Sequence, residues 1–219
     1  MNYLSHAFRH LDRPYFAAGT ALPDWMSLLD RKNRARRQYA EPVIDDPDSE
    51  IAEFAKGVLR HHDDDRWFHG HPEFIRLSTE LAVATRTHLE DGLGHQAGFL
   101  GHIAVELILD SVLTADDPRL VDRYFDNLKS LSADKIQQAA NLICRKPVTK
   151  LSDMLPRFIN ARFLADYEDD RLLLSRLNGV MKRVKLPPLP ESVSECFAEF
   201  RPTIRAAAPT LLYPPDTIG

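Results

Sequence analysis

The chain has 219 residues, a formal net charge of −4, and 44% hydrophobic and 27% charged residues, a composition that excludes a disordered or fibrous protein. Its two cysteines, Cys144 and Cys196, lie far apart and outside any CxxC spacing, so neither a disulfide framework nor a thiolate metal site is expected. The negative balance argues against general nucleic-acid binding. No apolar run of the roughly 18 residues that a membrane span needs is evident. The opening MNYLSHAF lacks the basic flank and long apolar stretch of a secretory signal, so a cytoplasmic protein is expected.

Apolar residues recur three or four apart over 50–69, 73–91, 95–114, 118–128, 132–145, 151–165 and 168–184, which predicts a helix over each. Nowhere do β-branched residues alternate with polar ones over four or five positions. The expected fold is therefore all-α, a single bundle-like domain over 1–186. Asp117 before Pro118, Ser132 and Ser152 have the chemistry of N-caps, while Gly92, Gly94 and Gly179 mark helix ends or tight contacts. Residues 30–49, with Pro42 and Pro47, read as a polar loop. Seven of the 15 prolines fall between Pro187 and Pro215. Residues 187–219 thus read as a Pro-rich tail packed on the domain, with room for a short helix at 191–200.

Inside the loop, Arg31, Lys32, Arg34, Arg36 and Arg37 form a dense basic run between Asp24 and the acids from Glu41 to Glu50. It is either a solvated loop or a docking patch for an acidic partner or a phosphate-bearing substrate.

All nine histidines lie at or before His102. His61, Asp65 and His69 stand at i, i+4 and i+8, and so share one face of a helix. His102, Glu106 and Asp110 repeat the spacing on a helix that is otherwise apolar. A carboxylate on such a face needs a partner or a cation. Imidazole and carboxylate suit Zn, Mn or Fe, and an i, i+4 pair can hold one ion without straining the backbone. Two such helices face to face supply enough ligands for one or two ions, with His6 and Asp24 as candidates to complete the set. Alone, His6 reads rather as a core or exposed histidine, and Asp24, after Pro23, equally as a turn or N-cap residue. His62, Asp63 and Asp64 face solvent or flank the site. His71 reads as a loop residue, and His88 and His95 as surface or helix-end residues.

MNYLSHAF, then Gly19 and Asp24 in GTALPDW, then GVLRHHDDDRWFHGHPE resemble the acyl carrier protein phosphodiesterases. LPRFINARFLADYEDD and RLNGVMKR extend the likeness to about residue 185. His6, Asp24, His61, Asp65 and Pro72 fall on matching positions. The chain departs from the family at His69, where an aspartate is usual, and at Gly101-His102, where Asp-His is usual. The pattern also looks like that of zinc-dependent phospholipase C and P1 nuclease, and of HD-domain phosphohydrolases. All these resemblances imply phosphoester cleavage.

The resemblance implies metal-dependent release of 4′-phosphopantetheine from holo-acyl carrier protein. In that reading His6, Asp24, His61, Asp65, His102 and Glu106 hold one or two divalent ions, Mn, Zn or Fe. His69 or Asp110 acts as general base or orients a ligand, and Arg60 and Arg66 bind phosphate oxygens or form surface salt bridges. Acyl carrier proteins are strongly acidic, which makes Arg31–Arg37 a candidate docking patch for one. The competing expectation is a helical binding or scaffold protein, with the same cluster as a buried polar network.

Overall fold

Spacings of three and four fold here into helices throughout. A computed structural model of the chain describes residues 1–90 and 94–214. Among these residues it holds eleven α-helices, two 3-10 helices and no strand. The all-α class expected from periodicity is what the chain adopts. In chain order the α-helices are α1 (Tyr3–Ala7), α2 (Pro14–Leu29), α3 (Arg37–Ala40), α4 (Ser49–Gly70), α5 (Pro72–Arg86), α6 (Gly94–Asp116), α7 (Leu120–Lys129), α8 (Ala133–Ile143), α9 (Leu151–Ala161), α10 (Asp170–Val184) and α11 (Val193–Leu211).

The differences from expectation have local causes. The 30–49 segment is not wholly loop: α3 and a 3-10 turn at Glu41–Val43 occupy part of it. The helix expected over 151–165 stops at Ala161 because Arg162 adopts a left-handed φ of 44°. A 3-10 helix, Phe163–Glu168, follows it. Ser132 caps α8, its hydroxyl accepting from the Lys135 N–H at 3.2 Å. Ser152 lies inside the first turn of α9 and donates to Gln137 instead. Helix α7 starts after Arg119 rather than at Asp117-Pro118. Gly92 lies outside the described residues.

The largest difference is at the C-terminus. In place of a short helix at 191–200, α11 runs for 19 residues with Pro202 and Pro209 inside it. A helix-interior proline costs about 3 kcal/mol. Here Phe197, Ile204, Ala208 and Leu211 are buried along one face, and α11 packs on α5, α6 and α10. Arg201 adds three hydrogen bonds of 2.7 Å, to Asp170, the Ser111 hydroxyl and the Tyr167 carbonyl. Pro215 lies outside the described residues.

The chain divides into two compact units. The first comprises residues 1, 3–66 and 119–162. Phe158 is its aromatic hub, edge-on to Tyr3 at 5.1 Å and Trp25 at 5.6 Å. Helices α2 and α4 meet backbone to backbone through two glycines. A Cβ on Gly19 would stand 2.1 Å from the Phe54 carbonyl oxygen, and one on Gly57 2.1 Å from that of Phe16. No side chain fits either place.

The second unit comprises residue 2, 67–118 and 163 onward. Its central helix is α6, packed on α5. The contact closes at Gly101, where a Cβ would lie 2.2 Å from the Ser78 carbonyl oxygen. No side chain fits there without displacing that backbone. Contrary to the sequence expectation, α6 is long and apolar enough to cross a membrane by length and composition; its most apolar 18-residue window has mean hydropathy 1.5. That window is 72% buried, which is what a core helix requires.

Candidate metal centre

Among the described residues, two histidine–carboxylate trios form, one in each unit. In the first, His6 from α1 meets His61 and Asp65 from α4, with three ligand atoms within 4.8 Å of one another. The glycine contact brings α2 close enough to α4 for the Thr20 carbonyl to accept from His61 Nδ1–H at 2.8 Å. His6 Nδ1 stands 3.2 Å from Asp64 Oδ2, and Asp64 is held in turn by Arg60 at 2.6 Å. A carbonyl and a carboxylate only accept, so Nδ1 carries the proton in both rings. Each Nε2 is thereby turned toward Asp65: His6 Nε2 lies 3.3 Å from Oδ1 and His61 Nε2 3.3 Å from Oδ2.

Donors about 2.1 Å from a tetrahedral ion lie about 3.4 Å from one another. The two imidazole–carboxylate separations, each to a different oxygen of Asp65, are near that value and are long for an N–H···O bond. The buried His6 Nε2 forms no well-shaped hydrogen bond. Backbone carbonyl and carboxylate partners behind ligand imidazoles are also the usual means of fixing their tautomer. The residues present therefore fit a divalent ion.

Charge reinforces the arrangement. Burial disfavours ionised Asp65, yet the Met1 ammonium at 2.8 Å and the two imidazoles hold it far below the usual carboxylate range. Burial likewise opposes protonation of His6, but its contacts with Asp64 and Asp65 prevail and raise its pKa to about 9. Asp24 sits inside α2, one turn after Thr20, so it is neither a turn residue nor an N-cap. It is not one of the three converging ligands, but it lies within electrostatic range of them. Its pKa is raised, first by burial and then by Asp65, with His61 opposing. Among the described residues it has no hydrogen bond or ion pair.

In the second trio, His69 at the end of α4 meets His102 and Glu106 of α6. Both Nε2 atoms point at one carboxylate oxygen, Glu106 Oε1, at 2.9 and 3.1 Å. The rings are 4.7 Å apart, and Phe74 packs against both. Burial opposes ionisation of Glu106, yet its pKa is lowered, the hydrogen bonds with His102 and His69 contributing. These distances are those of ordinary hydrogen bonds, so this trio closes without an ion as readily as with one. As a site, the trio would bind one zinc ion fewer in Glu106→Gln than in the unaltered protein on calorimetric titration. An unchanged stoichiometry would exclude the second trio as a site.

Other candidates fall elsewhere. Asp110 is fully buried in the second unit and accepts from Asn2 Nδ2 at 2.7 Å, outside the trio. Arg60 is committed to Asp64. Arg66 is exposed and lies 3.5 Å from Asp63. His71 caps α5, its Nδ1 accepting from the Glu73 N–H. Asp64, a flanking residue by sequence, orients His6. Its spacing of four from Arg60 is the one sequence signal for that pairing. Nothing local signals the Thr20 carbonyl. No family model, curated protein or solved structure matches the chain.

Proposed function

We propose that the protein is a metal-dependent phosphodiester hydrolase with its principal ion at His6, His61 and Asp65. The observation that carries this reading is the pair of imidazoles whose Nδ1–H groups are tied to acceptors while both Nε2 atoms stand 3.3 Å from Asp65. Asp24 is the candidate fourth ligand, since a half-buried carboxylate without a partner is unfavourable until it meets a cation. A divalent ion, Mn, Zn or Fe, supplies Lewis-acid polarisation of a phosphoryl oxygen and lowers the pKa of water. The chain's own residues hold the donors in place. Thr20 and Asp64 orient the imidazoles, and Arg60 holds Asp64. Asp65, partly exposed, gives the trio its access to solvent. The second trio, His69, His102 and Glu106, is a candidate for a second ion.

The phosphodiester specificity, and acyl carrier protein as substrate, are supported by the sequence resemblance. The test is to strip the protein of metal, add Mn or Zn, and assay bis-p-nitrophenyl phosphate and holo-acyl carrier protein. Activity that appears on reconstitution and is absent in His61→Ala is expected. Protein that binds neither ion, or binds one and stays inert on both substrates, would refute the proposal. A second reading has its own observation: the Met1 ammonium and His6 already compensate Asp65 in the absence of an ion. A helical binding or scaffold protein would show a melting temperature indifferent to chelator and to added metal.

A further inference from the structure

From the connection after α2 to the first residue of α3 the chain presents the five cations of residues 31–37. Asn33, in their midst, is buried. Its amide closes two hydrogen bonds on the backbone of Lys146: Nδ2 donates to the carbonyl oxygen at 2.8 Å, and Oδ1 accepts from the N–H at 3.0 Å. Two residues on, Ala35 forms an antiparallel bridge with Cys144. These contacts lay Arg145 and Lys146 against the first segment, and Lys150 follows four residues on. Residues 31–37 and 144–150 together hold eight of the 28 basic residues and no acid, leaving 20 basic residues against 32 acids elsewhere. Apart from Arg37, each of the eight is exposed, and among the described residues none of those seven is ion-paired.

The platform is tied to the helix that carries the trio. Arg37 pairs with Asp63 and Glu41, and His62 Nε2–H donates to the Ala35 carbonyl at 2.9 Å. Both α4 partners lie within one turn of His61, His62 about 100° and Asp63 about 200° around the helix from it.

We propose that residues 31–37 and 144–150, latched by Asn33, form one docking platform for an acidic protein partner, tied to α4, the helix that carries His61 and Asp65. The inference deepens the hydrolase reading by assigning how a macromolecular substrate is held. Three observations favour a protein over a nucleic acid or a membrane. Neither segment contains an aromatic residue on which bases could stack. The acidic excess elsewhere repels an anion larger than the platform but not a compact one seated on it. Leu28 and Leu142, close in sequence to the two segments, are 45% and 49% exposed, and apolar anchors beside charges belong to protein interfaces. Five of the eight cations are arginines, whose planar forks pair two-pronged with carboxylates.

Fluorescein-labelled acyl carrier protein serves as the acidic probe, with duplex DNA and phosphatidylglycerol vesicles as competing arms. The unaltered protein is expected to bind the probe with an affinity that falls as salt rises. The surface variant R34E/R145E/K146E is expected to lose binding by at least about tenfold while hydrolysing bis-p-nitrophenyl phosphate at the unaltered rate. Asn33→Ala, which releases one segment from the other, is expected to weaken binding with all eight charges retained. Probe binding indifferent to the charge reversal overturns the platform, as does tighter binding of DNA or vesicles. Loss of hydrolysis in His61→Ala with probe binding intact leaves the platform standing, so the two proposals are tested separately.

Discussion

Gly57→Ala is expected to destabilise the fold by more than about 3 kcal/mol and to abolish metal uptake at the His6/His61/Asp65 trio. The new methyl would sit 2.1 Å from the Phe16 carbonyl oxygen and about 3 Å from Gly19 Cα. Both are backbone atoms, so no rotamer change relieves the clash and α2 must separate from α4. The separation breaks the 2.8 Å bond from His61 to the Thr20 carbonyl and frees the ring to lose its tautomer. Gly70→Ala is the control. It lies on the same helix, and a Cβ there would have nothing within 4 Å, so it is expected to be neutral or stabilising by up to about 1 kcal/mol. Chemical denaturation and metal content measured on both variants check the prediction. Equal stability of the two would mean that α2 and α4 are not held by this contact.

Metal affinity at the same trio is expected to strengthen about tenfold per pH unit up to pH 9. An ion needs the neutral imidazole, and below the His6 pKa of about 9 it must displace a proton. The metal-free protein has the opposite slope. A folded pKa raised above the ordinary 6.5 contributes stability that is complete below pH 6.5 and is lost as pH rises through about 9. The melting temperature of metal-free protein is therefore expected to decline over that window while the increment from added Mn grows. Asp64→Asn, which removes the largest contribution favouring protonated His6, is expected to shift both changes to lower pH. A metal increment independent of pH would show that His6 is not a ligand.

Much of this site is legible in one dimension. The four-residue repeat of a helix pairs His61 with Asp65 and His102 with Glu106, and the structure keeps both pairs. His69 shares that stripe with His61 but closes instead with His102 and Glu106. The side chain stands at the end of α4, where α6 and not its own helix supplies the nearest carboxylate. Asp64 reads as a flanking residue in the sequence because helical phase alone cannot tell which face meets α1. Proline content conceals α11, since a breaker's local penalty is visible in sequence and the burial that outweighs it is not.

The sequence by itself determined the all-α class and the two helical stripes of ligands, because both depend on neighbours within two turns. Which stripe residues meet, what orients them and where the basic segments join were decided by the tertiary structure. Those outcomes depend on close approaches at Gly19, Gly57 and Gly101 and on the Asn33–Lys146 hydrogen bonds, 113 residues apart. Contacts between residues so distant are set by helix crossing and loop closure, which leave no periodic trace in the chain.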